Sequence, residues 1–175
     1  SAVAGAGAGE PVVIVADSEV DADSDAHADD DGGADVDAQF PDRASLQAQL
    51  ETMSVNDKRQ HALHGKKDMR WLLIRDQNKT IHPFVLKNPA VTLDEVEQIA
   101  RLTSVNPDVL HTIAHNRDWT KSQNVVRNLV KNPKTPMPDA LTLVDKLGIA
   151  DVRALAKSAG VRGPIQQACR KKVTG

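Results

Sequence analysis

The sequence predicts an all-α domain from residue 43 onward, made of short helical hairpins stacked on one another behind an acidic arm. Three observations carry that expectation. Residues 1–42 hold 12 Asp and Glu and no Lys or Arg, whereas residues 43–175 hold all 22 Lys and Arg against the other 12 acids, a formal excess of 10 positive charges. Apolar residues in the second part recur at three-and-four spacing, and no alternating run calls for a sheet. Finally, two helix-like segments end in the same Lys-Asn-Pro, at residues 87–89 and 131–133, which is a 44-residue spacing (131 − 87 = 44).

The arm is built from Ala, Gly, Asp and Val, and its single apolar cluster, Val12 to Val15, is too short to bury a core. Like charges repel along it, so residues 1–42 are expected to be a disordered arm or linker. The chain opens on Ser1, which raises the reading of a fragment with a linker at its front. The arm lacks the basic start and the apolar run of a signal peptide. No stretch reaches the roughly 18 apolar residues of a membrane span. Cys169 is the only cysteine, so an intrachain disulfide and a thiolate cluster are excluded. A reducing, cytoplasmic setting is the expectation. Cys169 itself reads as a small residue on the last helix.

The elements follow in order. Residues 45–53, 54–65 and 67–76 read as helices with Ser45, Ser54 and Asp68 as caps, and residues 79–88 as a fourth with Pro83 in its first turn or at a kink. "TLDEVEQIARL" places Leu93, Val96, Ile99, Ala100 and Leu102 on one stripe, opened by a Thr92–Glu95 capping box. "SVNPDVLHTIAHN" starts on Asn106 with Pro107 at the first helical position, where a missing N–H costs nothing. Thr120 and Gln123 have capping-box spacing for the next helix. Thr135 with Pro136 repeats the Asn106–Pro107 design, and Gly148 and Gly160 stand where left-handed caps would close two helices. Gly163 and Pro164 open the last helix.

The doubled Lys-Asn-Pro has a physical meaning. A residue before proline is pushed out of the helical region, so helices are expected to stop at Asn88 and Asn132 before Pro89 and Pro133. Asn also tolerates a left-handed conformation. Each corner is followed by another helix, and a hairpin of this kind cannot bury its apolar face alone, so neighbours must supply the core. The spacing falls among the periods of helical solenoids.

"KNPKTPMPDALTLVDKL" resembles the Asn-Pro-x-Thr-Pro-x-x-x-Leu-x-x-Leu pattern of leucine-rich-repeat-variant modules, and more loosely the HEAT and armadillo class. It is also similar to bacterial helical-repeat domains with "NRDW…KNPKTP". The likeness runs from Arg75 to about Lys172, with its specific part in residues 116–143. The resemblance implies a HEAT/armadillo-like right-handed solenoid and an interaction role, and it transfers no active site. The first corner, "KNPAVTLDEV", lacks the capping proline, and the 44-residue spacing exceeds the roughly 24 of the variant repeats. The iron–sulfur cluster of some members needs cysteines this chain lacks.

Candidate chemistry is sparse. His111 and His115 stand four apart on one helix, the spacing of half a metal site, with His82 or Asp118 as the only third donors that suggest themselves; they read as helix-face histidines, and no metal or cofactor is expected. His61 and His64 flank the end of a polar helix. Arg117, Asp118 and Trp119 suit either a carboxylate beside a stacking surface or a structural corner in which Trp119 packs as a staple. "IRD" at residues 74–76 repeats the Arg-Asp without the Trp, which favours structure. There is no phosphate loop and no nucleophile constellation, so no enzyme is expected. The expected function is a scaffold or adaptor that binds a protein or peptide through a helical surface carrying Arg117, Lys121, Arg127, Lys131 and Lys134. The alternative is a nucleic-acid-binding domain whose basic groove the acidic arm modulates, with basic clusters in "GKKDMR", "KNPK" and "CRKK".

Overall fold

The computed structural model describes residues 43–175, so the acidic arm and the expectations attached to it lie outside the described residues. Within them the chain forms ten α-helices and no strand: α1 (Arg43–Thr52), α2 (Val55–His64), α3 (Lys67–Leu73), α4 (His82–Leu86), α5 (Leu93–Arg101), α6 (Pro107–His115), α7 (Gln123–Lys131), α8 (Met137–Val144), α9 (Ile149–Lys157) and α10 (Gly163–Thr174). A short 3-10 turn, Trp119–Lys121, precedes α7. The all-α expectation holds. None of these helices is long and apolar enough to cross a membrane.

Local chemistry sets most helix starts. The Ser54 hydroxyl accepts from the Asp57 N–H at α2, and Asn106 accepts from the Asp108 N–H with Pro107 in the first turn of α6. At α5 Thr92 and Glu95 form the reciprocal capping box, which satisfies two N–H groups that a helix start leaves without partners. Several expected caps differ. Ser45 lies inside α1 and Asp68 inside the first turn of α3. Ser122, not Thr120, caps α7, because Thr120 is drawn into the 3-10 turn, where its hydroxyl donates to the Asn116 carbonyl. Pro136 takes the capping position of α8 in place of Thr135. Gly148 is extended (φ −64°, ψ 152°) and starts α9. Gly160 is not left-handed either, and α9 has already ended at Lys157. On α5, Val96, Ile99 and Ala100 are buried as the stripe requires, but Leu93 is exposed.

The helices bury one continuous apolar cluster that runs from Leu50 to Cys169. α2 packs on α4, α4 on α6, α6 on α8 and α8 on α10, while α5 packs on α7. Side-chain pairs add α3 to α5 through Arg70–Glu95 and α7 to α9 through Arg127–Asp151. Leu73, Ile99, Leu110, Ile113, Leu129 and Leu143 are essentially sealed from solvent, each such side chain contributing about 1.5–3 kcal/mol by burial.

Both Lys-Asn-Pro segments are corners, and their asparagines do the same thing. Asn88 and Asn132 are 4 % and 3 % exposed. The Asn88 amide donates to the Ala62 and Gly65 carbonyls at the end of α2, and its oxygen accepts from the Ala90 N–H. The Asn132 amide donates to the Ala100 and Leu102 carbonyls at the end of α5, and its oxygen accepts from the Lys134 N–H. A helix end leaves carbonyls unpaired, and here a later side chain supplies the donors. The expected left-handed conformation is absent: Asn132 is extended (φ −68°, ψ 121°), and α4 already stops at Leu86, with Lys87 as its cap. The pre-proline restriction is enough to turn the chain.

The same device recurs toward the C-terminus. Lys172 donates to the Val144 and Asp145 carbonyls at the end of α8, and Arg170 donates to the Ala156 carbonyl near the end of α9.

Candidate functional site

Seven residues after each corner asparagine stands an acid that opens the following helix: Glu95 after Asn88 (95 − 88 = 7) and Asp139 after Asn132 (139 − 132 = 7). Both are buried, at 3 % and 8 % exposure. A buried carboxylate needs a partner, and the two corners supply different ones.

At the first corner the partner is Arg70 of α3. Its Nε and Nη2 donate to Glu95 at 3.0 and 2.9 Å, while Nη1 reaches the Gly65 carbonyl and Nη2 also reaches the Ala90 carbonyl. The same Glu95 closes the capping box through the Thr92 N–H and hydroxyl. Burial alone would raise the Glu95 pKa, but the hydrogen bonds from Arg70 and Thr92 together with the guanidinium charge hold it below the usual value. Every polar group in this knot is occupied by protein.

At the second corner Asp139 faces two histidines one turn apart on α6. His111 Nδ1 lies 2.7 Å from Asp139 Oδ2, and His115 Nε2 lies 3.8 Å from Asp139 Oδ1. The ring centroids of His111 and His115 are 4.2 Å apart. His115 Nδ1 sits 2.9 Å from the His111 carbonyl, so in the neutral ring it carries the proton and the Nε2 lone pair faces the carboxylate. The two imidazole side chains are 55 % and 61 % exposed. His111, His115 and Asp139 are the described residues with three donor atoms close enough to share one ion, all within 4.8 Å of one another.

Neither third donor suggested by the sequence joins this group. His82 is 1 % exposed; its Nε2–H donates to the Asp76 carbonyl, and its Nδ1 accepts from the Asn106 N–H. Burial pushes its pKa below the ordinary histidine value. Asp118 is exposed and bound to Lys121 at 2.8 Å. Asp139 does not stand out in the sequence, because only the fold brings it beside a helix that ends 24 residues earlier (139 − 115 = 24). Its place seven residues after Asn132, matching Glu95 after Asn88, is the one signal the sequence carries.

The five basic residues of the expected surface are not one free patch. Lys121 is committed to Asp118. Arg127 makes a two-pronged pair with Asp151 at 2.8 and 3.0 Å. Arg117, Lys131 and Lys134 are exposed, with no carboxylate partner among the described residues. Trp119 packs at the edge of the core, half-buried, and its backbone N–H binds the Asn116 side chain. Cys169 is fully buried in α10, and burial pushes its thiol pKa up, away from the reactive thiolate.

A separate groove of about 550 Å³ lies along α3, α5 and α7, lined by Lys67, Asp94, Glu97, Gln98, Arg101, Asn124 and Asn128. Glu97 organises its wall: Oε1 accepts from the Ser122 hydroxyl, Oε2 from the Asn124 amide, and its carbonyl from the Asn128 amide. The chain matches no family model, no curated protein and no solved structure.

Proposed function

We propose that residues 43–175 are a binding module in which short helices stack as a HEAT- or armadillo-like right-handed solenoid, and that its ligand is a protein segment lying along α5 and α7. The observation that carries this reading is the groove lining. It offers two cations, two carboxylates and three side-chain amides over a space open to solvent. That mixture suits a polypeptide, whose backbone presents alternating donors and acceptors and whose side chains carry either charge. It suits a run of phosphates poorly, since Asp94 and Glu97 would repel them. A phosphate at Arg127 would also have to compete with the two-pronged Asp151 carboxylate.

The test is capture of partners by the full chain, with and without nuclease, beside a Lys67→Glu, Arg101→Glu variant. Both side chains line the groove and Arg101 is exposed, so the fold should survive. Protein capture that resists nuclease and is lost in the variant supports the reading. Duplex DNA binding that persists at physiological salt, with affinity falling by a slope of about −0.9 per phosphate neutralised, would replace it with the nucleic-acid reading.

A further inference from the structure

We propose that His111, His115 and Asp139 form a binding site for a divalent late first-row transition ion of the zinc class, which cross-links α6 to α8. The geometry comes first. His115 turns the lone pair of Nε2 toward Asp139 Oδ1 because its Nδ1–H is held by the His111 carbonyl. An outer hydrogen bond that fixes the tautomer and aim of an imidazole is what a metal-ligating histidine requires. The gap from His115 Nε2 to Asp139 Oδ1 is 3.8 Å. That is too long for a hydrogen bond, and it is close to the separation of two atoms that each bind one ion at about 2.0–2.2 Å. Asp139 Oδ1 accepts no hydrogen bond among the described residues, so an ion at that oxygen displaces no protein partner. The one protein bond an ion would break is that of His111 Nδ1 to Asp139 Oδ2. His111 adds the third donor through Nδ1, passing its proton to the exposed Nε2.

Donor chemistry selects the class of ion. Calcium and magnesium take oxygen ligands, whereas two imidazoles and one carboxylate suit zinc, cobalt, nickel or copper. The imidazoles are more than half exposed, so the remaining coordination positions open to solvent and an ion has a direct path in. The carboxylate, by contrast, is anchored in the first turn of α8 and 8 % exposed, which fixes one donor before any ion arrives. The site stands where Arg70 and Glu95 stand at the first corner, so the ion would fill there the role of the guanidinium. This inference does not depend on which partner the groove binds.

The test is calorimetric titration of the full chain with ZnCl₂ in a non-chelating buffer, read with thermal unfolding. The variants are His111→Gln and His115→Gln, both at exposed positions, with a His61→Gln, His64→Gln double variant as control. The native chain should bind Zn²⁺ and unfold at a higher temperature with it. Each single variant should lose more than about tenfold in affinity, the scale on which even outer partners of a ligand matter, and should lose the thermal shift. The control should keep both. Absence of Zn²⁺ binding, or a loss below tenfold in His111→Gln and His115→Gln, would overturn the site.

Discussion

The two Lys-Asn-Pro corners share a turn, a buried asparagine and a buried acid seven residues on, yet they give the acid different partners. Glu95 is locked by a guanidinium that is always charged and 4 % exposed; Asp139 is met by two imidazoles at the surface. The lesson is that one backbone device accepts either a closed knot or an open one. A closed knot fixes structure and has no free donor. An open one keeps lone pairs in reach of solvent, and only there can a ligand enter.

The largest test of this contrast is Arg70→Met. It leaves Glu95 buried without its counter-charge, and unfolding free energy should fall by about 3–5 kcal/mol. The double variant Arg70→Met, Glu95→Met should recover much of that loss in denaturant titrations, because it removes the orphaned charge. Acid should expose the same pair. Glu95 has a depressed pKa, so its contribution is present above its unfolded value and is lost as pH falls through the lower folded one. Removing Arg70 leaves burial to raise the Glu95 pKa. The gap between the native chain and Arg70→Met should therefore narrow as pH falls from that raised value toward the depressed native one. A gap independent of pH would show that packing, not charge, sets the cost.

Smaller effects follow at the corner asparagines. Asn132→Ala strips donors from the Ala100 and Leu102 carbonyls and should cost about 1–3 kcal/mol, with Asn88→Ala similar. A much larger loss at one of them would show that the corners are not equivalent. His82 gives a pH effect rather than a fixed cost. Its folded pKa lies below the unfolded one, so the unfolded chain takes up a proton first, and stability should decline as pH drops below about 6.5. His82→Gln should flatten that slope in thermal melts below about pH 6.5. The smallest expected change is Arg127→Met. Its pair with Asp151 has the geometry of the Arg70 pair, but the side chains are 37 % and 22 % exposed, so the loss should stay below about 1 kcal/mol.

Helices and corners were legible in the sequence because their causes are local: apolar spacing, a proline, a hydroxyl or amide just before a helix. Misassigned caps have local causes too. Thr120 and Ser122 both stand before α7, and only the intervening 3-10 turn decides between them. The long-range pairs were not legible, since Arg70 and Glu95 lie 25 residues apart and His111 and Asp139 lie 28 apart. One clue was present. Arg70 interrupts a run, Met69 to Ile74, whose other members are all apolar, and a cation in such a run must find an acid. The groove left no clue, because its lining comes from three helices and consists of residue types common on any surface.

The corner asparagines carry a further consequence for how the protein is made. Asn88 reaches back 26 residues to Ala62, and Asn132 reaches back 32 to Ala100. On a ribosome the N-terminal parts of a chain emerge first, so each corner amide meets carbonyls that have already left the exit tunnel. No corner waits on a later segment for these bonds. Each corner can therefore close as soon as its own asparagine emerges, onto helix ends that are already outside.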